Sequence, residues 1–160
     1  ERKASTFVGP AISISYVIAN DMSLPLEVRE ARSNTKVVER SCRVCSDMRK
    51  RGIKVLPGGD YGFPNNPIGH NAWDFEHFIN MYGYTPAEVL RAATMYGGEL
   101  MGMGNELGLV KEGYLADLLL VDGNPLEDIT LFQDKAKLLM IMKDGAYHKA
   151  PAGNASIPKR

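Results

Sequence analysis

The sequence has no surplus of charge. Nineteen Lys and Arg balance nineteen Asp and Glu, so the formal net charge is zero. That argues against a broad electrostatic surface of the kind nucleic acid requires, although a local patch can survive the average. Long apolar runs are missing too. Nothing approaches the ~18 consecutive apolar residues of a membrane span, so neither nucleic acid nor a membrane is expected as a partner. No basic-then-apolar leader opens the sequence; the location stays open, with the cytoplasm favoured, because a targeting segment could precede Glu1. The first residue is Glu1 rather than a methionine, as in a processed chain or a piece of a longer one. Cysteine is scarce, with only Cys42 and Cys45 present. A lone C-x-x-C without a second pair is weak evidence for zinc. The three histidines, His70, His77 and His148, nowhere take metal-ligand spacing, so the chain alone cannot surround a metal ion. Gly58-Gly59 and Gly97-Gly98 match neither a P-loop nor a dinucleotide fingerprint.

What remains is ordinary globular composition, 44% hydrophobic and 24% charged over 160 residues, about one domain in size. The β-branched run over 7–18 predicts a strand at 6–13, interrupted by Gly9-Pro10, and then an irregular stretch. Residues 20–32, with Pro25, predict a loop or a short helical turn. Val37, Val38, Ser41, Cys45 and Met48 recur at helical spacing and predict a helix over 35–51. Its last turn carries Arg49, Lys50 and Arg51, which suit the negative end of the helix dipole, and Gly52 stops it. Cys45 falls on the buried stripe with Cys42 beside it, as two reduced thiols.

Residues 53–57 predict a short buried strand. Helix, glycine, then strand is the rhythm of an α/β fold with parallel pairing. The Gly/Pro/Asn-rich stretch 63–71 leaves the carboxyl end of that strand, where such folds place their ligands. Phe75, Phe78, Ile79 and Tyr82 predict a helix over 73–82, ended by Gly83. Thr85-Pro86-Ala87-Glu88 predicts a capped helix start, with the helix running to about Tyr96. A short helix at 99–101 and three-residue glycine-rich stop should follow. Beyond Gly104 the pattern changes to short strands at 107–110, 116–122, 137–142 and 146–148, separated by turn signals such as Lys143-Asp144-Gly145. Met95, Met101, Met103, Met140 and Met142 are expected as core filler. The organisation expected is an α/β part over 1–104, a small β unit over 105–149, and a flexible tail over 150–160.

Three runs in fixed order carry a resemblance. Gly59-Asp60, Gly69-His70-Asn71 and Gly83-Tyr84-Thr85-Pro86-Ala87-Glu88-Val89-Leu90-Arg91-Ala92-Ala93-Thr94 resemble the end of an amidohydrolase-superfamily barrel. The stretches 108–119 and 122–129, then Met142-Lys143-Asp144-Gly145, resemble the strands that follow it. The resemblance covers 35–149 and is most similar to the Xaa-Pro dipeptidase and imidazolonepropionase-like branch. It implies the last strands and helices of a (β/α)8 TIM-like barrel, strands 7 and 8, followed by the C-terminal part of a small composite β-sandwich.

It also implies a hydrolase of C–N amide bonds that holds a divalent metal, one or two zinc ions. The His-x-His of strand 1, the bridging lysine or carboxylate of strand 4 and the histidines of strands 5 and 6 would lie upstream. The implied partners are that upstream part or a partner copy in an oligomer, together with a small amide substrate. Of the family's metal and acid–base set, only the strand 8 aspartate is matched here, by Asp60. A carboxylate there can take a proton from the attacking water and pass it to the leaving nitrogen, and it can also ligate metal. Spacing alone leaves Asp60 open as a turn aspartate between glycines. The family's usual Gly-Thr-Asp or Gly-Ser-Asp is Gly58-Gly59-Asp60 here, which removes one hydroxyl. His70 and Asn71 are implied near the substrate. His70 could equally be a loop histidine bonded to backbone, while His77 and His148 are expected to be structural. The alternative from another class is a non-catalytic segment that folds only with a partner chain.

Overall fold

A computed structural model describes residues 6–20, 23–33, 35–64 and 66–152. The chain divides into two compact units, 1–92 and 93–160.

In the first unit β1 (Phe7–Val8) is followed by three helices, α1 (Ile12–Asn20), α2 (Leu26–Ser33) and α3 (Thr35–Lys50), and then by β2 (Lys54–Val55). The strands pair in parallel, Phe7 with Lys54 and Val8 with Val55. The Leu56 N–H extends the ladder by donating to the Val8 carbonyl at 3.0 Å. A parallel pair needs a long crossover, and the helices supply it. α4 (Trp73–Tyr82) and α5 (Pro86–Arg91) complete the unit.

Its core is aromatic and aliphatic. Ile12, Val55, Phe78, Tyr82 and Val89 are all at most 1% exposed. Phe78 meets Tyr82 and Tyr84 edge-on, with centroids 5.0 and 5.2 Å away. The Tyr84 hydroxyl donates to the Val55 carbonyl at 3.0 Å, which anchors β2 to this cluster. The capping box at Thr85 forms as predicted, with Pro86 in the first turn and Glu88 returning to the Thr85 N–H at 2.8 Å. The basic end of α3 does more than complement the dipole. Arg49 stacks over the Tyr84 ring and pairs with Glu88 at 2.9 Å. Cys45 is buried, Cys42 is half-buried, and both are free thiols.

Two expectations are corrected here. The strand expected over 6–13 ends at Val8, and a helix begins at Ile12. Pro10 cannot donate to a continuing ladder, and Ala11 takes a left-handed φ of 47° that turns the chain away. Ile12 and Ser13 then bury on a helix, so packing outweighs the β preference of the branched residues. Of the loop or short helical turn expected over 20–32, the helical alternative forms, as the eight-residue helix α2. The Pro25 carbonyl accepts from both Val28 and Arg29 at 3.0 Å, as expected of a proline that opens a helix.

In the second unit a π-helical turn, Ala92–Tyr96, leads into α6 (Gly97–Leu100). Three antiparallel strands follow in the order β3 (Leu118–Val121), β4 (Leu138–Lys143) and β5 (Ala146–Lys149). Asp144 and Gly145, with φ of 49° and 75°, make the β4–β5 turn. The primed turn expected of Asp-Gly requires this geometry. Asp117 clasps the turn from the neighbouring strand end, accepting from the Asp144 N–H at 2.6 Å and the Lys143 ammonium at 2.7 Å. That pairing holds the Asp117 carboxyl below its ordinary range.

The strand expected at 107–110 does not form. The Leu107 N–H bonds to the Met103 carbonyl at 2.9 Å in a series of turns, and Val110 is 90% exposed. Met101 is 65% exposed and is therefore not core filler. These turns press on α6. A Cβ placed on Gly98 would lie 2.3 Å from the Leu107 carbonyl oxygen, whereas one on Gly97 would meet nothing within 4 Å. Gly98→Ala is expected to destabilise the protein by about 1–3 kcal/mol through overpacking against backbone. Gly97→Ala should be neutral or stabilise by about 0.5–1 kcal/mol. Urea unfolding midpoints of the two variants check the contrast, and equal midpoints would count against the close approach.

Candidate active site

Because β1 and β2 run in parallel, their carboxyl ends open on the same edge of the pair. The chain leaves β1 through Gly9, Pro10 and Ala11, and leaves β2 through the long segment that ends at α4. Asp60 lies at the start of that segment. Its side chain is exposed, with no hydrogen bond or ion pair among the described residues. Its backbone is fixed. Asn66, 1% exposed, donates from Nδ2 to the Asp60 carbonyl at 2.8 Å and accepts at its own carbonyl from the Gly62 N–H at 2.9 Å. The Asp60 carboxylate is therefore exposed, on a loop held by the buried Asn66 amide.

A second carboxylate is bonded to the same segment, at Gly58. Asp74, in the first turn of α4, is 1% exposed. It accepts from the Ser13 hydroxyl in a short hydrogen bond and from the Gly58 N–H at 3.0 Å. Tyr61 closes the group, its hydroxyl 3.4 Å from Ser13 Oγ and 3.3 Å from the Asn71 carbonyl. Burial, the larger cause, and then the Asp74 charge push the Tyr61 phenol up to about 12 against the Ser13 hydrogen bond, which lowers it. Tyr61 therefore remains a protonated donor at physiological pH.

His70 and Asn71 are close by in sequence but are held separately. His70 stacks on Trp73 with ring centroids 4.3 Å apart. The Asn71 side-chain oxygen accepts from the Gly69 N–H at 3.2 Å, so Asn71 is oriented by its own turn and not by His70. His148 is exposed on β5, in the other unit.

His77 is buried on α4, its ring centroid 4.7 Å from that of Tyr16, and its Nε2 finds no partner among the described residues. Burial holds its imidazole below the ordinary 6.5, against an opposing pull from Asp74 and Glu76. The unfolded chain thus binds this proton more readily than the folded one. The stabilising contribution is complete above about pH 6.5 and is lost as pH falls towards the folded value. His77→Gln is expected to flatten the fall in Tm between about pH 7 and pH 5. An unchanged slope would show that another group carries the fall.

The Asp74, Ser13 and Tyr61 group was not anticipated from the sequence. The expected stripe of α4 was Phe75, Phe78, Ile79 and Tyr82. The buried set is Asp74, His77, Phe78 and Tyr82, a face rotated by about one residue. The signal was available, since an aspartate and a histidine at i and i+3 share that face. No group of three or more His, Cys, Asp or Glu placed to hold a metal exists among the described residues. The described residues thus do not fit a metal site of their own, and Asp60 offers a single carboxylate.

The model of the amidohydrolase family matches residues 13–147, and the chain belongs to that family. Over 103 residues, 64% of this chain and 21% of the relative, it is 33% identical to ochratoxinase from Aspergillus niger. Among solved structures it is similar to an amidohydrolase, with a TM-score of 0.75 and 26% identity over 91% of this chain and 35% of that one. It is similar also to a Xaa-Pro dipeptidase with methionine bound in its active site, with a TM-score of 0.73 and 25% identity over the same shares. The chain thus spans about a fifth of the curated relatives' length and about a third of these solved chains. Among the described residues, no helix is long and apolar enough to cross a membrane.

Proposed function

We propose that this chain is the C-terminal part of a metal-dependent amidohydrolase that cleaves a C–N amide bond, with Asp60 as its acid–base group. The observation that carries this is an exposed carboxylate, without a partner among the described residues, just beyond β2 at the carboxyl end of a parallel pair, in a chain of this family. On this reading β1 and β2 are strands 7 and 8 of a (β/α)8 barrel, and β3–β5 belong to the small sandwich. Asp60 removes a proton from the water that attacks the carbonyl and returns it to the leaving nitrogen. A divalent metal, one or two zinc ions, would lower the pKa of that water. Asp60 can ligate it from this chain, and the remaining ligands come from an upstream segment or a partner copy in an oligomer. Asn71, linked through its carbonyl to Tyr61, and His70, stacked on Trp73, are proposed to contact the substrate.

The Xaa-Pro dipeptidase and ochratoxinase resemblances favour a small amide, such as an Xaa-Pro dipeptide, an N-acyl amino acid or a cyclic amide. The test is turnover of Xaa-Pro dipeptides and N-acyl amino acids by the full-length polypeptide, alongside intact-mass analysis and N-terminal sequencing of the purified sample. Amide hydrolysis only when an upstream His-x-His segment is present supports the reading. Robust hydrolysis by the homogeneous 160-residue chain would overturn the placement of the metal ligands outside it.

A further inference from the structure

We propose that Asp74 is a positioning residue, whose buried carboxylate, bonded to Ser13 and to the Gly58 amide, fixes the strand-end segment from which Asp60 projects, with Tyr61 seated on Gly59 closing the same network. This rests on the reading of Asp60 as the acid–base group.

Burying a carboxylate is costly unless its oxygens are satisfied. Here both are, one by the Ser13 hydroxyl and the other by the Gly58 N–H. An apolar residue on α4 would fill the volume without that cost, yet it would tie nothing together. The three elements joined are the start of α1, the exit from β2 and the first turn of α4. Gly58 stands two residues before Asp60, so the Asp74–Gly58 bond sets where the backbone places the Asp60 side chain.

Gly59 between them is part of the arrangement. A Cβ at Gly59 would lie 2.4 Å from the Tyr61 ring. A side chain there would force the Tyr61 ring to move. In its present place the Tyr61 hydroxyl reaches Ser13 and Asn71. Gly59 and Tyr61 are therefore a matched pair.

The test is a double-mutant cycle in the full-length polypeptide, with kcat, KM, the pH profile of kcat/KM and Tm measured for each protein. Asp74→Asn keeps the volume but replaces one acceptor oxygen with a donor. Ser13→Ala removes only a hydroxyl and carries the test should Asp74→Asn not fold. Either variant is expected to lower kcat about 10–10²-fold, the scale of a misplaced catalytic group. KM should change little, and a limb of the kcat/KM pH profile should move. In an Asp60→Asn background the same changes should produce no further loss of kcat, because they act through Asp60.

Unchanged kcat in Asp74→Asn and Ser13→Ala beside a crippled Asp60→Asn would overturn the positioning role alone. So would equal losses in both backgrounds with an unmoved pH limb. An active Asp60→Asn enzyme would overturn the reading of Asp60 and the positioning role with it.

Discussion

Asp60→Asn in the full-length polypeptide is expected to lower kcat by about 10²–10⁴, the usual range for a general acid–base group. The amide has the size of the carboxyl but cannot accept the proton released by the attacking water. Because the Asp60 side chain is exposed and has no partner among the described residues, its replacement removes no protein hydrogen bond there. Tm should therefore stay close to wild type, which separates lost chemistry from lost folding. KM should change less than kcat, since the side chain still fills its place. If Asp60 also ligates metal, bound metal per chain measured by elemental analysis should fall in the same variant. Near-normal kcat towards Xaa-Pro dipeptides and N-acyl amino acids would remove Asp60 from the mechanism.

The sequence places Asp60 at a strand end, only the resemblance offers it as an acid–base group, and the residues packed near it are not legible, for a physical reason. Asp60 is local: a buried run, two glycines and an aspartate place a carboxylate at a strand end whatever lies further away. The helix stops at Gly52 and Gly83, the Thr85 cap and the Asp144-Gly145 turn were readable on the same ground, because each is decided within a few residues. Ser13 and Asp74 are 61 positions apart, and their contact exists only once β1 and β2 pair. Nothing near Ser13 distinguishes it from any serine in a β-branched run, and that run itself suggested a strand. The turn at Pro10 and Ala11 converted it into a helix, which a pattern of alternation could not show. In the second unit the stretch at 107–110 has strand composition, yet the close approach of Leu107 to Gly98 holds it in turns. The family resemblance supplied what composition could not: the order of motifs across 35–149, and hence the expectation that ligands and further strands belong to an upstream segment.

Phe78→Ala is expected to cost about 3–5 kcal/mol of stability, the usual range for truncating a buried aromatic. Phe78 is 0% exposed. Its ring meets Tyr82 and Tyr84 edge-on, contacts worth about 0.5–1.5 kcal/mol beyond area burial. The truncation leaves a cavity between two tyrosines that are fixed at their far ends. Tyr82 is held by Ser41 at 2.9 Å and Tyr84 by the Val55 carbonyl at 3.0 Å, so neither ring can swing in to fill the space without losing a hydrogen bond. Collapse is therefore limited and the cost belongs at the upper end of the range. Phe78→Leu retains much of the volume and should cost clearly less. Because Tyr84 anchors β2, Phe78→Ala should also loosen the strand that leads to Asp60. Amide exchange at Val55 and Leu56 should accelerate well before global unfolding. Denaturant unfolding gives the first quantity and native-state hydrogen exchange the second. A loss below about 1 kcal/mol, under the range for such sites, would show that Tyr82 and Tyr84 are free to repack and that the aromatic cluster does not brace β2.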